Sequence, residues 1–262
     1  MKVHVSTLSK HAFCPRAVYL EDVLRLTPAS SKEKERGLVG HAIRKELSLR
    51  QSKVLGKVSD ARELTQLLLA ELDRILEDAP RIYREKLFLL DYETYVQELK
   101  SQLIQEIGVT SQKLSELVSE AGLERALKLV TPDKVEYTLS SDALNLTGRV
   151  DKLMRDGEAR FPIEIKTGTP PKGVWTGDRL QVCGYLLLCE EEFSQEIPYG
   201  FVEYTHTFDR HPVLASEKLR RTTLETRDKI DEILEGSVPD ICPHGSGRKC
   251  ASCGFKEACY RI

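Results

Sequence analysis

No excess of basic charge marks this chain: 39 lysines and arginines stand against 41 aspartates and glutamates in 262 residues, a formal net charge of −2. Any surface that holds a polyanion must therefore be a local patch, because the molecule as a whole carries no positive field. Long apolar runs are missing too. None approaches the ~18 consecutive apolar residues of a membrane span, so no membrane partner is expected. The opening residues, MKVHVSTLSKHAFCPR, lack the basic-then-apolar order of a secretory leader, and a cytoplasmic location is the expectation. What is present is 40% apolar residues, ample for one large elaborated domain or a domain with a helical lobe. There are also seven cysteines. Their odd number, in a reducing compartment, argues against a disulfide framework and for metal ligation or buried thiols.

Along the chain, a helix is expected to begin near Pro15, whose missing N–H suits a first helical turn. The charged stretch SSKEKERG (30–37) reads as a solvated, mobile loop. GLVGHAIRKELSLR (37–50) has helical spacing, with Leu38, Ile43 and Leu47 along one side. From about 60 to 130 apolar residues recur at three and four, the helical period, with a break near Gly122 left open. The period then changes to two. KVEYTLSS (134–141) and LNLTGRVDKLM (144–154) flank a turn, and RFPIEIK (160–166) follows as a third strand. TGDRLQVCGYLLLCEEEF (176–193) reads as a helix with an apolar centre, IPYGFVEYTH (197–206) and HPVLA as strands. SEKLRRTTLETRDKIDEILEG (216–236) is a helix capped by Ser216 and stopped by Gly236. The tail, CPHGSGRKCASCGFKEACYRI, is too short and polar for a core element.

The third strand carries the first chemical signal. Side chains alternate along a strand, so Ile163 and Ile165 point one way while Glu164 and Lys166 point the other. Charge in such a strand is costly without a partner. A cross-strand ion pair is the plain alternative. Asp151, on the preceding strand, is brought towards Glu164 by the hairpin, and two carboxylates on adjacent strand ends make a hard oxygen site for Mg²⁺ or Mn²⁺. Lys166 beside them could orient water or stabilise charge building on a phosphate. Downstream, Gln181 and Tyr185 lie four apart on one helical face. Upstream, His41 sits in a helix. Cys14-Pro15-Arg16 opens the chain and Cys250-x2-Cys253-x5-Cys259 closes it; thiolates suit zinc or iron–sulfur clusters. Cys242 supplies a further thiol, so a local set without Cys14 also stays open. Cys183 and Cys189 fall in an apolar helix and read as core thiols.

Asp151 followed after thirteen residues by Glu164-x-Lys166 resembles the D…ExK signature of the PD-(D/E)xK nuclease superfamily. The full order, F-C-P-R, G-x-x-x-H, G-R-x-D, E-x-K, Q-x-x-x-Y and C-x2-C-x5-C, is similar to the CRISPR-associated RecB-like iron–sulfur exonucleases, the fourth-numbered Cas family of the adaptation module. The resemblance implies an α/β fold with a restriction-endonuclease-like core. It divides the chain into a cluster-ligand and His-bearing segment (1–54), a helical insertion (55–131), the RecB-like nuclease core (132–236) and an iron–sulfur region (237–262). It further implies that His41, Asp151, Glu164 and the backbone carbonyl of Ile165 hold Mn²⁺ or Mg²⁺. Lys166 would act with Asp151 and Glu164 in catalysis, and Gln181 and Tyr185 would hold DNA. Cys14, Cys250, Cys253 and Cys259 would bind a cluster, 4Fe-4S by resemblance, with zinc as the other option. The implied activity is metal-dependent exonucleolytic trimming of single-stranded or tailed DNA for the CRISPR integrase complex. Arg16, Arg248, Lys249 and Lys256 are candidates to line a strand channel. Two alternatives keep other functions open: a repair or recombination exonuclease, and a catalytically silent cluster-stapled scaffold that binds DNA. The 110 positions between His41 and Asp151 are more than a compact family member would need.

Overall fold

A computed structural model of the protein describes residues 2–28, 32–58, 61–83 and 89–262. Within these, a six-stranded sheet runs β1-β3-β4-β5-β6, with β2 also paired to β3. The strands are β1 (Val3–His4), β2 (Lys134–Ser141), β3 (Leu146–Asp156), β4 (Ala159–Lys166), β5 (Tyr199–Tyr204) and β6 (Asp209–Leu214). β2, β3 and β4 form an antiparallel meander, β4 and β5 are parallel, and β6 returns antiparallel. β3 is long enough to pair twice. Its first residues, Leu146 and Thr147, lie beside β1, while Lys152 to Asp156 lie beside β4. The ladder between β3 and β4 thus ends at Lys152 and Ile163, and the two strands part just beyond it.

Helices α1 (Val5–Phe13), α7 (Thr176–Phe193) and α8 (Glu217–Leu234) cover one side of the sheet. Their apolar faces build a core with Val150, Leu153, Val202 and Tyr204, and it takes in Cys183 and Cys189, both fully buried. Ser216 caps α8 by accepting from the Leu219 N–H. Gly148 and Gly184 permit the close approach of β3, α7 and α1. A Cβ at Gly148 would stand 2.9 Å from Tyr185 and from Val5, and one at Gly184 would stand 2.8 Å from Leu8.

A second core is helical. α3 (Lys32–Leu55), α4 (Ala61–Ile82), α5 (Tyr92–Ala121) and α6 (Leu123–Val130) enclose Ile43, Leu68, Leu72, Leu103 and Leu114. Gly122 separates α5 from α6; its φ of +79° ends the first helix where a side chain would be strained. A third, small core joins the chain ends. Cys14, which caps α2 (Pro15–Val18), Ala17 within it and Leu20 in the π-turn after it pack on Phe255, between α9 (Gly247–Ala251) and α10 (Lys256–Cys259).

Two expectations need correction. SSKEKERG is not a loop where it is described: α3 starts at Lys32, and only Ser30 and Ser31 lie outside the described residues. Glu35 accounts for the difference, because its buried carboxylate accepts from the N–H groups of Leu89 and Leu90 and ties this turn to the approach to α5. The inward side of α3 is also turned by one residue. Val39, Ile43 and Leu47 are buried, whereas Leu38 is exposed.

Candidate active site

The site forms where β3 and β4 part. Asp151 and Glu164 would be the next pair after Lys152 and Ile163, and the ladder does not include them. The Asp151 side chain fills the gap instead: its Oδ2 accepts from the Ile165 N–H at 2.8 Å. Strict alternation slips here as well. Val150 and Leu153, three residues apart, share one core, and the facing Glu136 on β2 adopts a left-handed φ of 50°. Such irregular points in a ladder re-aim side chains. Both carboxylates are buried; α7 reaches Glu164 through Gln181, and α3 reaches Asp151 through Lys45.

Glu164, Lys166, Gln181 and Tyr185 form one hydrogen-bonded chain. Gln181 Nε2 donates to Glu164 Oε1 at 2.8 Å, and Lys166 Nζ donates to Gln181 Oε1 at 3.0 Å. Lys166 is also 3.1 Å from Glu164 and 3.2 Å from Asp178. Tyr185 donates to the Arg149 carbonyl at 3.0 Å. Gln181 and Tyr185 are both buried; Gln181 carries α7 to Glu164 and Tyr185 ties it to the β3 backbone.

From the other side α3 presents His41, Lys45 and Ser48, spaced to share one face. His41 Nδ1 lies 3.1 Å from the Thr167 hydroxyl. Lys45 pairs with both Asp151 and Glu136, and Glu136 pairs in turn with Arg149 at 2.7 Å. Ser48 donates to Glu203 Oε1 at 2.6 Å.

The electrostatics follow from this arrangement. Burial, joined by the charge of Asp151, pushes the Glu164 carboxyl up to about 8. Burial lowers His41, favouring the neutral imidazole that can act as a metal ligand. Burial also opposes the Lys166 and Lys45 ammonium groups, but the carboxylates around each outweigh it and hold both above the usual lysine value.

Among the described residues no three His, Cys, Asp or Glu side chains converge closely enough to hold a metal ion. Asp151 engages Lys45 and Ile165, Glu164 engages Gln181 and Lys166, and His41 engages Thr167. The donor chemistry nevertheless fits a hard divalent cation: two buried carboxylates, one pushed towards its neutral form by burial and its neighbour's charge, an imidazole held towards its neutral form, and an ammonium already drawn onto Asp151.

Sequence reasoning did not single out Lys45, Glu136 or Asp178. Lys45 stands four after His41 and Asp178 three before Gln181, so helical spacing was the available signal. Glu136 shows itself only through the β2–β3 register.

Five of the seven cysteines, all but Cys183 and Cys189, lie towards one corner. Cys14 is buried on Phe255, and Cys253 and Cys259 are partly buried against the same cluster. The Cys242 and Cys250 sulfurs are 3.3 Å apart, and Cys242 is 2.9 Å from the Tyr260 hydroxyl. Burial raises the Cys14 thiol, with a smaller contribution from Cys253 and Cys259. Arg16 does not line a channel. It is 4% exposed and donates to the Pro239 carbonyl at 2.6 Å. Lys249 likewise donates to the Ala12 and Phe13 carbonyls, at 3.1 and 2.8 Å. These contacts fasten the C-terminal segment to the first helices. Arg248 and Lys256 are exposed.

Residues 3–260 match the family described as the PD-(D/E)XK nuclease superfamily. A protein named CRISPR-associated exonuclease Cas4 from Thermoproteus tenax is 20% identical over 145 residues, 55% of this chain and 75% of that one. Another of that name, from Rhodospirillum rubrum, is 30% identical over 128 residues, 47% of this chain and 38% of its own length. A CRISPR-associated exonuclease Cas4/endonuclease Cas1 fusion from Leptospira interrogans is 28% identical over 130 residues, 47% of this chain and 24% of the fusion. The chain therefore spans three quarters of the first relative and well under half of the other two. Among the described residues no helix is long and apolar enough to cross a membrane.

Proposed function

We propose that this chain, which belongs to the PD-(D/E)XK nuclease superfamily, is a metal-dependent exodeoxyribonuclease that trims single-stranded or tailed DNA ends for the CRISPR integrase. The observation that carries the reading is the grouping of Asp151, Glu164 and Lys166 where the β3–β4 ladder stops, braced by Gln181. The similarity to proteins named Cas4 exonuclease and Cas4/Cas1 fusion supports the choice of pathway and partner. A cytoplasmic setting accords with both.

Asp151, Glu164, His41 and the Ile165 carbonyl would hold one or two Mn²⁺ or Mg²⁺ ions. Bound there, the ion would lower the pKa of a coordinated water and polarise the phosphate. The chain's own groups do the rest. Asp151 is fixed by the Ile165 N–H. Glu164 is oriented through Oε1 by Gln181 and Lys166, and its Oε2 would serve the ion. Lys166, charged because Glu164 and Asp178 flank it, supplies a proton-bearing cation beside the phosphate and steadies charge that grows on it. Gln181 and Tyr185 keep α7 in register with the carboxylates and would border the bound strand.

Cys14, Cys250, Cys253 and Cys259 would hold an iron–sulfur cluster, 4Fe-4S by resemblance, with Cys242 as a spare or alternate thiol. Soft sulfur donors from both chain ends, beside one apolar cluster, fit such a group, which when bound would staple the ends together.

The test is degradation of an end-labelled single-stranded oligonucleotide with Mn²⁺. Wild-type protein shortens it from an end, and Lys166→Ala, folded as judged by its melting curve, is slower by about 10²–10³-fold. Equal rates for the two proteins would refute the reading.

A further inference from the structure

Trp175 is the one tryptophan of the chain, and it is 66% exposed. An indole is a large apolar surface that a fold ordinarily buries. Trp175 holds the N-cap position of α7 but makes no side-chain cap bond there, so helix initiation does not explain the ring. Phe13, the last residue of α1, is 37% exposed. The two aromatics line a single cleft of about 380 Å³, together with Ser9, Gly177, Asp178 and Lys249.

The cleft has a fixed floor and a charged rim. A Cβ at Gly177 would come within 2.7 Å of the Ser9 hydroxyl, so α1 and α7 meet closely beneath it. Lys249 lies 5.6 Å from the centre of the Phe13 ring, held by the two carbonyls at the end of α1. The cleft and the candidate active site share Asp178, which lines the cleft and sits 3.2 Å from Lys166. Two aromatic side chains, a cation at the rim and a wall shared with the reacting centre suit a flat, π-faced group on an anionic chain.

We infer that this cleft is a nucleobase subsite, in which an unpaired base of single-stranded DNA stacks on Trp175 beside Phe13 while the adjoining backbone runs towards Lys166. A paired base hides its faces in the duplex stack, so the subsite selects a single strand. Stacking accepts any base, because every base has a π face. The inference rests on the proposed nuclease reading and adds to it the residues that grip the substrate.

Because no other tryptophan is present, intrinsic fluorescence reports on this position alone. The full chain is titrated with oligothymidylate in Ca²⁺, and with the same oligonucleotide carrying abasic sites. Oligothymidylate quenches the emission. Trp175→Ala weakens binding about 5- to 150-fold, and Trp175→Phe restores most of it. The abasic strand binds wild-type protein weakly and loses nothing further in Trp175→Ala, an outcome that a purely structural tryptophan would not produce. Unchanged emission at saturation, with equal affinity for Trp175→Ala, overturns the subsite even if wild-type protein degrades DNA in Mn²⁺; the nuclease reading would then survive. Wild-type protein that neither binds nor degrades DNA overturns both.

Discussion

Replacing Lys152 should cost far more than replacing Lys152 and its partner together. Lys152 and Glu203 are each 1% exposed, with Nζ and Oε1 2.6 Å apart. Lys152 also donates to Ser48 at 2.7 Å. Arg210 donates to the second Glu203 oxygen at 2.9 Å and to the Leu129 carbonyl at 2.8 Å. This network ties α3, β3, β5 and β6 together one residue from Asp151. Removing one member of a buried pair costs about 3–5 kcal/mol, towards the lower end here because Arg210 still faces Glu203, whereas replacing both with apolar groups is often near neutral. Lys152→Met should therefore lower stability by about that amount, and Lys152→Met with Glu203→Leu should recover most of it, since Arg210 is half-buried and keeps Leu129. Acid gives an independent check. Burial alone would raise the Glu203 carboxyl, but Lys152 and Arg210 outweigh it and bring it from 4.5 to about 2. A depressed carboxyl stabilises the fold above its unfolded value and loses that stabilisation as pH falls. Between pH 4.5 and about 2 this group should account for about 3 kcal/mol of lost stability. Urea melts of the three proteins at neutral pH, and of wild-type protein and Glu203→Gln down the acid range, measure both effects. A single variant as stable as wild type, or a double variant no better than the single, would refute the reasoning.

Other outcomes follow from the same geometry. Lys166→Arg should recover only part of the rate lost in Lys166→Ala, because a planar guanidinium cannot reproduce an ammonium that meets Glu164, Asp178 and Gln181 at once; steady-state rates in Mn²⁺ decide this. Gly148→Ala should destabilise the protein by about 1–3 kcal/mol, since its Cβ would push on Tyr185 and Val5, and should slow cleavage by shifting Tyr185; a melt paired with a rate measurement shows both. Cys259→Ala should lower the melting temperature and reduce the iron bound after anaerobic purification, because that thiol would help to join the two chain ends. Retention of wild-type melting and iron content would remove Cys259 from the ligand set.

The parts of the site that could be read from sequence are those governed by short periods. Glu164 and Lys166 stand two apart on a strand, and Gln181 and Tyr185 four apart on a helix. Each pair is confined to one face before any tertiary structure is known. The parts that could not be read depend on where separate elements meet. Asp178 is an ordinary acidic residue in the first turn of α7 until β4 brings Lys166 beside it. Lys152 is a charge with no partner visible in the sequence, and it is buried because α3 and β5 supply Ser48 and Glu203. Arg16 looked like a surface cation through its charge alone, and its Pro239 partner lies 223 residues away. The start of α3 was missed for a related reason. Charge density in SSKEKERG suggests solvent, but Glu35 finds its donors on the N–H groups of Leu89 and Leu90. The alternation slip beside Asp151 has no sequence signature; it lies opposite the left-handed Glu136, which drops out of the β2–β3 ladder.

Calorimetric titration of Mn²⁺ into the wild-type protein, Asp151→Asn and Glu164→Gln, with no DNA present, tests the central claim most directly. Stoichiometric binding by the wild-type protein, lost in both variants while their melting curves stay cooperative, is the predicted result. Identical isotherms for all three proteins would contradict it.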